Sequence, residues 1–175
     1  MLEPISIALD GPVASGKTAI GMLVAKRLKW SFLDTGTMYR AVTVAALNEG
    51  VDLMDQRGLT ELADSLDMQV ISGENGSGIL VNRKDVTNQL RETRVDRGVS
   101  LVSKVSGVRL AMVKEQRVMS KESSIVMAGR DIGTVVLPES KVKVFLKASV
   151  QIRAKRRYSD IRKMCSDVEF QDVMD

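Results

Sequence analysis

The chain has 175 residues, 44% of them hydrophobic and 27% charged, with a formal net charge of +4; that is enough for one domain with a packed core, too apolar for a disordered chain, and mildly biased toward anionic partners. It has no histidine, one cysteine (Cys165) and 3% aromatic residues, which excludes Ser-His and Cys-His catalysis, histidine-bearing metal centres and an internal disulfide, and argues against an aromatic platform for stacking bases. No apolar run is of membrane-spanning length and MLEPISIALD does not read as a signal peptide, so a reducing cytoplasm, with no membrane partner, is the expected setting.

Ile5 to Leu9 is a short apolar run closed by Asp10 and Gly11, and it predicts a buried strand. Gly11, Gly16, Lys17 and Thr18 then stand in the order G-x-x-x-x-G-K-T. In such a loop the glycines let backbone N–H groups turn toward phosphate oxygens, and the following helix adds its positive end. Lys17 can reach the β- and γ-phosphates, and Thr18 can ligate Mg²⁺ directly or through water. The motif predicts a nucleoside triphosphate site over Gly11, Pro12, Val13, Ala14, Ser15, Gly16, Lys17, Thr18 and Ala19, and does not by itself predict an enzyme. Behind it Ile20, Leu23, Val24 and Leu28 keep helical spacing and give the helix an apolar face.

Phe32 and Leu33 form a second buried run before DTGTMYR. A helix carrying Met38, Val42 and Ala45 on one side follows and is expected to end at Gly50, with a third over residues 56–66. The pattern changes near Leu66: MQVIS, GILVN and DVT are short β-like pieces around GENGSG, expected to form a small insertion apart from the main sheet. Two helical stretches come next, the longer with Val105, Val108, Met112 and Met119 in helical register. SIVMAGRD and VKVFLKA are further strands, and VQIRAKRRYSDIRK is a basic helix. Strands alternating with helices predict an α/β fold with a central parallel sheet.

Arg40 lies in the first turns of the second helix and reads as a surface arginine or as a clamp on a second phosphate. Arg130 and Asp131 directly follow a buried strand, where ligands sit in doubly wound sheets. Arg153, Arg156 and Arg157 share a helix face; a solvated basic face, nucleic-acid binding and a lid over transferring phosphates all remain open. Few aromatics and no basic tail weigh against nucleic acid. A phosphoryl transferase fits the missing histidine, because that chemistry needs alignment and positive charge more than a strong base.

ALDGPVASGKT, FLDTGTMYRAVTVAAL, KDVTNQLR, VRLAMVKEQR and AGRDIGTVVLPESKVKVFLKAS occur here in order. Together they closely resemble the bacterial cytidylate kinases, P-loop kinases of nucleoside monophosphates, over about residues 5–160; RAKRRY resembles that family's lid. The resemblance implies ATP-dependent phosphorylation of CMP and dCMP, with Mg²⁺, by a monomer that binds no nucleic acid. It implies a P-loop kinase core (1–65 and 105–152), a monophosphate-binding insertion (66–104), a lid (153–166) and the start of a returning core helix (167–175). It places Thr35 and Arg40 near the acceptor nucleotide, Arg130 on its phosphate, and Ser100, Arg109 and Asp131 around cytosine. Lys17, Arg130, Arg153 and Arg157 would act on the phosphates, with Arg156 a third lid arginine. Ala128 stands where an acidic residue is common, and Ala19 where a hydroxyl is. The family continues past the lid, so the chain is expected to be truncated and to lack ribose contacts. The rival readings are another small P-loop kinase, of uridylate or shikimate type, and a nucleotide-gated binding module without transfer.

Overall fold

The computed structural model describes residues 3–73, 76–162 and 170. Four parallel strands form the central sheet: β1 (Ser6–Asp10), β2 (Ser31–Asp34), β6 (Ile125–Gly129) and β7 (Val142–Phe145), in the order β2-β6-β1-β7. β6 is buried along its whole length, as expected of a central parallel strand with both faces covered. β7 is the opposite case, an edge strand with all four residues exposed. Because β1 pairs in parallel with β6 and β7, and β2 with β6, the strands end together at Asp10, Asp34, Gly129 and Phe145.

Helix α1 (Lys17–Leu28) links β1 to β2. Its expected apolar face is not its buried face: Ile20, Leu23 and Leu28 are 43%, 52% and 43% exposed, and the helix buries Gly21 and Ala25. Close approach to the sheet is the reason. A Cβ on Gly21 would stand 2.5 Å from the Phe32 ring, so only the smallest side chain fits there, and the large apolar residues are turned outward. Val24, which packs against the small cluster of Leu9, Phe32 and Val126, is the one expected face residue that meets the core.

Helix α2 (Thr35–Glu49) starts at Asp34, whose carboxylate accepts from Gly36 N, and stops at Gly50 in the left-handed conformation. These are the capping signals that short polar residues and glycine supply. Met38, Val42 and Ala45 are buried as their spacing predicts. Helix α3 (Gln56–Ser65) is capped by Asp55, which accepts from Arg57 N and Gly58 N. A separate antiparallel sheet follows, of β3 (Met68–Gly73), β4 (Gly76–Val81) and β5 (Lys84–Asp85). A 3₁₀ turn (Thr87–Arg91) and helix α4 (Thr93–Val102) lead to the long helix α5 (Ser106–Glu122).

One hydrophobic cluster spans both sheets. Met38 and Val42 of α2 share it with Ile79 and Val81 of β4, Leu90, Val95, and Val108 and Met112 of α5. The chain ends its described run in helix α6 (Val150–Arg162), where Ala154 is the buried residue. The expected lid residues 163–166, and all of 167–175 but Phe170, lie outside the described residues. Phe170 meets Tyr158 edge to face, with ring centroids 5.6 Å apart. Among the described residues no helix is long and apolar enough to cross a membrane.

Candidate active site

The loop between β1 and α1 curls at the carboxyl end of the central strand. Two of its glycines are fixed by geometry. Gly11 has φ +153° and a Cβ there would overlap the Leu146 carbonyl oxygen, while Gly16 caps α1 with φ +99°; side chains rarely adopt either conformation. Lys17 folds back over the loop and donates to the carbonyls of Gly11 and Pro12, both at 2.7 Å. Burial lowers its pKa from the ordinary lysine value; the Asp34 carboxylate opposes that shift, Arg130 adds to it, and Asp10 opposes it. Ser15 Oγ is buried with no partner among the described residues.

Thr18 Oγ1 donates to Asp34 Oδ2 at 2.6 Å. The same carboxylate caps α2 through its other oxygen, at 3.0 Å from Gly36 N. A hydroxyl and a carboxylate are hard oxygen donors of the type that takes Mg²⁺ beside phosphates. Among the described residues no group of three or more acidic, cysteine or histidine side chains forms a cage for a metal, and Mg²⁺ held by one or two protein oxygens plus substrate phosphates needs none. The donor set fits.

A cavity of about 440 Å³ opens beside the loop, lined by Gly11, Pro12, Arg130, Phe145, Lys147 and Arg153 among others. Arg153 reaches it from α6, and its Nε is buried with no partner among the described residues. Arg156, the third arginine of the expected lid, hydrogen-bonds the phosphate loop: its Nη1 donates to the carbonyls of Ala14 at 3.2 Å and Ser15 at 2.8 Å. Arg157 is exposed. The shared face predicted for the three arginines therefore divides between cavity, loop and solvent.

Across the strand ends, Arg109 of α5 and Asp131 pair at 2.6 Å through Nη2 and Oδ2. Tyr39 lies in their field: burial raises its pKa above the ordinary phenol value, Arg109 counters this and Asp131 adds to it. Ser100 is exposed on α4, and its carbonyl accepts from Ser103 Oγ at 3.4 Å. Thr35 is buried and donates to the Ala128 carbonyl at 3.1 Å, tying the start of α2 to the end of β6. Arg40 reaches toward the small-sheet side, where Nη1 meets Asp96 Oδ1 at 2.6 Å and the Leu90 carbonyl at 2.8 Å.

Four residues here carry no functional assignment from the sequence: Asp10, Asp34, Tyr39 and Arg117. Asp34 and Tyr39 sit inside the DTGTMYR motif, and an aspartate just ahead of a helical pattern is itself a cap signal. In the sequence Asp10 reads only as the end of a strand. It is 8% exposed, and its two oxygens accept from Ile132 N at 2.7 Å and Gly133 N at 2.8 Å. Arg117 carries no motif; it donates to the carbonyls of Val136 at 2.9 Å and Val135 at 2.7 Å.

Comparison with known proteins gives a single answer. The family model described as cytidylate kinase matches residues 7–175. A cytidylate kinase of Bacillus velezensis is 43% identical over 175 residues, all of this chain and 78% of that protein. One from Bacillus subtilis is 43% identical with the same coverage, and one from Geobacillus sp. strain WCH70 is 47% identical over 171 residues, 97% of this chain and 76% of that protein.

Proposed function

The chain belongs to the cytidylate kinase family, and on that premise we propose how its site carries out ATP-dependent phosphorylation of CMP and of dCMP. The observation that carries the reading is convergence: the phosphate loop, Arg130 and Arg153 border one cavity at the carboxyl ends of the central strands. ATP seats its phosphates on the N–H groups of residues 11–19 and the N-terminus of α1. Ser15 Oγ and Arg153 Nε, buried and unpartnered among the described residues, find acceptors in its oxygens.

CMP lies on the other side of Arg130. An oxygen of its phosphate attacks the γ-phosphorus of ATP in line. The new O–P bond forms as the bond to the β,γ-bridging oxygen breaks, and CMP and ATP become CDP and ADP. The attacking phosphate is already anionic, so no strong base is required. Lys17, Arg130, Arg153 and Arg157 balance the negative charge that moves from the γ-phosphoryl group toward the leaving oxygen. Lys17 uses two of its three N–H donors on loop carbonyls, and the third is left for phosphate. Thr18 and Asp34 would hold Mg²⁺, which when bound neutralises phosphate charge.

Asp131 and Arg109 read the base, with Ser100 supplying an adjustable hydroxyl from α4. Thr35 and Arg40 border the acceptor; the pairing of Arg40 with Asp96 supports a role in holding residues 66–104 in place beside it. Residues 1–65 and 105–152 act as the core, and α6 is the described part of the lid. Every group in this assignment comes from one chain, so a monomer suffices, and the reaction is placed in the cytoplasm with its dissolved nucleotides. The test is ADP release, coupled to NADH oxidation, with CMP, dCMP, UMP, AMP and shikimate as acceptors. CMP and dCMP are expected to be preferred. Equal rates with all acceptors, or release independent of any acceptor, would refute the reading.

A further inference from the structure

Arg130 and Asp131 stand immediately before a single π-helical turn, Ile132–Val136. Within the turn, the Asp131 carbonyl accepts from Val135 N at 2.8 Å and Val136 N at 3.3 Å, and Leu137 N donates to the Ile132 carbonyl at 2.7 Å. Five residues cannot hold a helical turn unaided, because nucleation costs more than one or two hydrogen bonds return. Its first N–H groups and last carbonyls also have no partners within it. Those groups are taken by two charged side chains from other elements. Asp10, at the end of β1, accepts from Ile132 N and Gly133 N. Arg117, on α5, donates to Val135 O and Val136 O.

We propose that Asp10 and Arg117 are positioning residues for the acceptor side of the site, holding this turn, and through it Arg130 and Asp131, in register with the phosphate loop. The signs of the charges suit the task. A carboxylate sits at the amino end of the turn and a guanidinium at its carboxyl end, each complementing the local backbone dipole. Asp10 is also the residue before Gly11, and its own carbonyl accepts from Leu146 N at 2.7 Å. One buried carboxylate therefore ties the loop that takes the donor phosphates to the turn that follows the acceptor-binding pair. Buried and bonded through both oxygens, it has little freedom to move. Its field also opposes the loss of charge on Lys17.

The inference rests on the reading that Arg130 and Asp131 meet CMP, and the test separates the two. Binding of CMP and of ATP is measured by calorimetry for the parent chain, Arg117→Met, Arg117→Lys, Asp10→Asn, Arg130→Met and the double variant Arg117→Met/Arg130→Met. Arg117→Met is expected to weaken CMP about fivefold, part of the worth of a charge-assisted hydrogen bond, while ATP affinity stays within twofold. Arg117→Lys, which keeps a donor, should recover part of the loss. Asp10→Asn should weaken CMP at least as much, since its amide N–H₂ confronts a backbone N–H. Arg117→Met should cost less when Arg130 is already Met, the non-additivity of residues acting through one another. A merely structural clamp would lower the melting temperature and leave CMP affinity within twofold, and that result would overturn the proposal. So would an equal loss of ATP affinity in Arg117→Met, or the same cost with and without the Arg130 guanidinium. If Arg130→Met leaves CMP binding unchanged, the acceptor reading itself fails and the inference with it.

Discussion

Selection of cytosine over uracil is the most demanding prediction of the base-reading role proposed for Arg109 and Asp131. Cytosine offers an N4 amino donor and an N3 acceptor, where uracil offers an O4 acceptor and an N3 donor. A carboxylate accepts from N4 and repels O4; a guanidinium donates to N3 of cytosine and is opposed by N3–H of uracil. Each mismatch leaves a polar group unpaired, at about 1–3 kcal/mol for a buried group. The two side chains are 41% and 34% exposed, so the lower end applies, about 1 kcal/mol each, or roughly 30-fold in all. The assay is kcat/KM for CMP over UMP in the wild type, Asp131→Asn and Arg109→Met. Asp131→Asn should lose about half of the preference on a logarithmic scale, because its amide can donate to O4 as readily as accept from N4. Arg109→Met should lose about half of it on a logarithmic scale. Use of UMP and CMP within a factor of two by the wild type, or an unchanged ratio in both variants, would refute the assignment.

Lys17→Met should lower kcat by about 100-fold or more, the cost of one preorganised charge at the transferring phosphate; near-normal turnover in a folded variant would remove Lys17 from the mechanism. Because burial depresses the Lys17 pKa, kcat/KM for ATP should fall on the alkaline side at a pH below 10.5, the ordinary lysine value. The sign for stability is the reverse: the unfolded chain holds that proton more tightly, so this group's contribution rises with pH between its folded pKa and 10.5. A rate profile flat to beyond that value would contradict the burial argument. Asp34→Ala should cost about 1–2 kcal/mol in urea unfolding, from the lost α2 cap and the lost Thr18 bond, and should raise the Mg²⁺ concentration needed for half-maximal rate. Arg156→Met should change KM for ATP more than KM for CMP, since its guanidinium meets the Ala14 and Ser15 carbonyls of the donor loop.

Motifs made of local geometry were legible in the sequence. The phosphate loop, the Gly50 stop of α2 and the alternation of strands with helices each depend on residues near one another in the chain, and each appears where expected. The orientation of α1 was not legible, because periodicity shows that a helix has an apolar face and not which neighbour that face meets. The close approach at Gly21 depends on Phe32, eleven positions away in sequence and reached only once the strand and helix are packed. The role of Asp10 is illegible in the sequence for a similar reason. A lone aspartate at a strand end looks like a turn residue until Ile132 and Gly133, more than a hundred residues later, are brought to it. Helical spacing groups the three arginines of α6 but cannot sort Arg156, on the loop carbonyls, from Arg153, at the cavity.

The small sheet and the central sheet share one hydrophobic cluster, whereas α6 buries Ala154. That difference sets where the molecule can yield during turnover. Rotating residues 66–104 as a body would pull Ile79, Val81, Leu90 and Val95 away from α2 and α5, exposing side chains worth about 1.5–3 kcal/mol each. Among the described residues, swinging α6 about Ser149 uncovers Ala154 and the Arg153 Nε and exchanges two Arg156 hydrogen bonds for water. Among the described residues α6 is therefore the element that yields at least cost, and on the proposed reading arriving phosphate charge gives its arginines a reason to close. On the proposed assignment, the acceptor side is expected to meet CMP already formed, and ADP release is expected to follow the motion of α6.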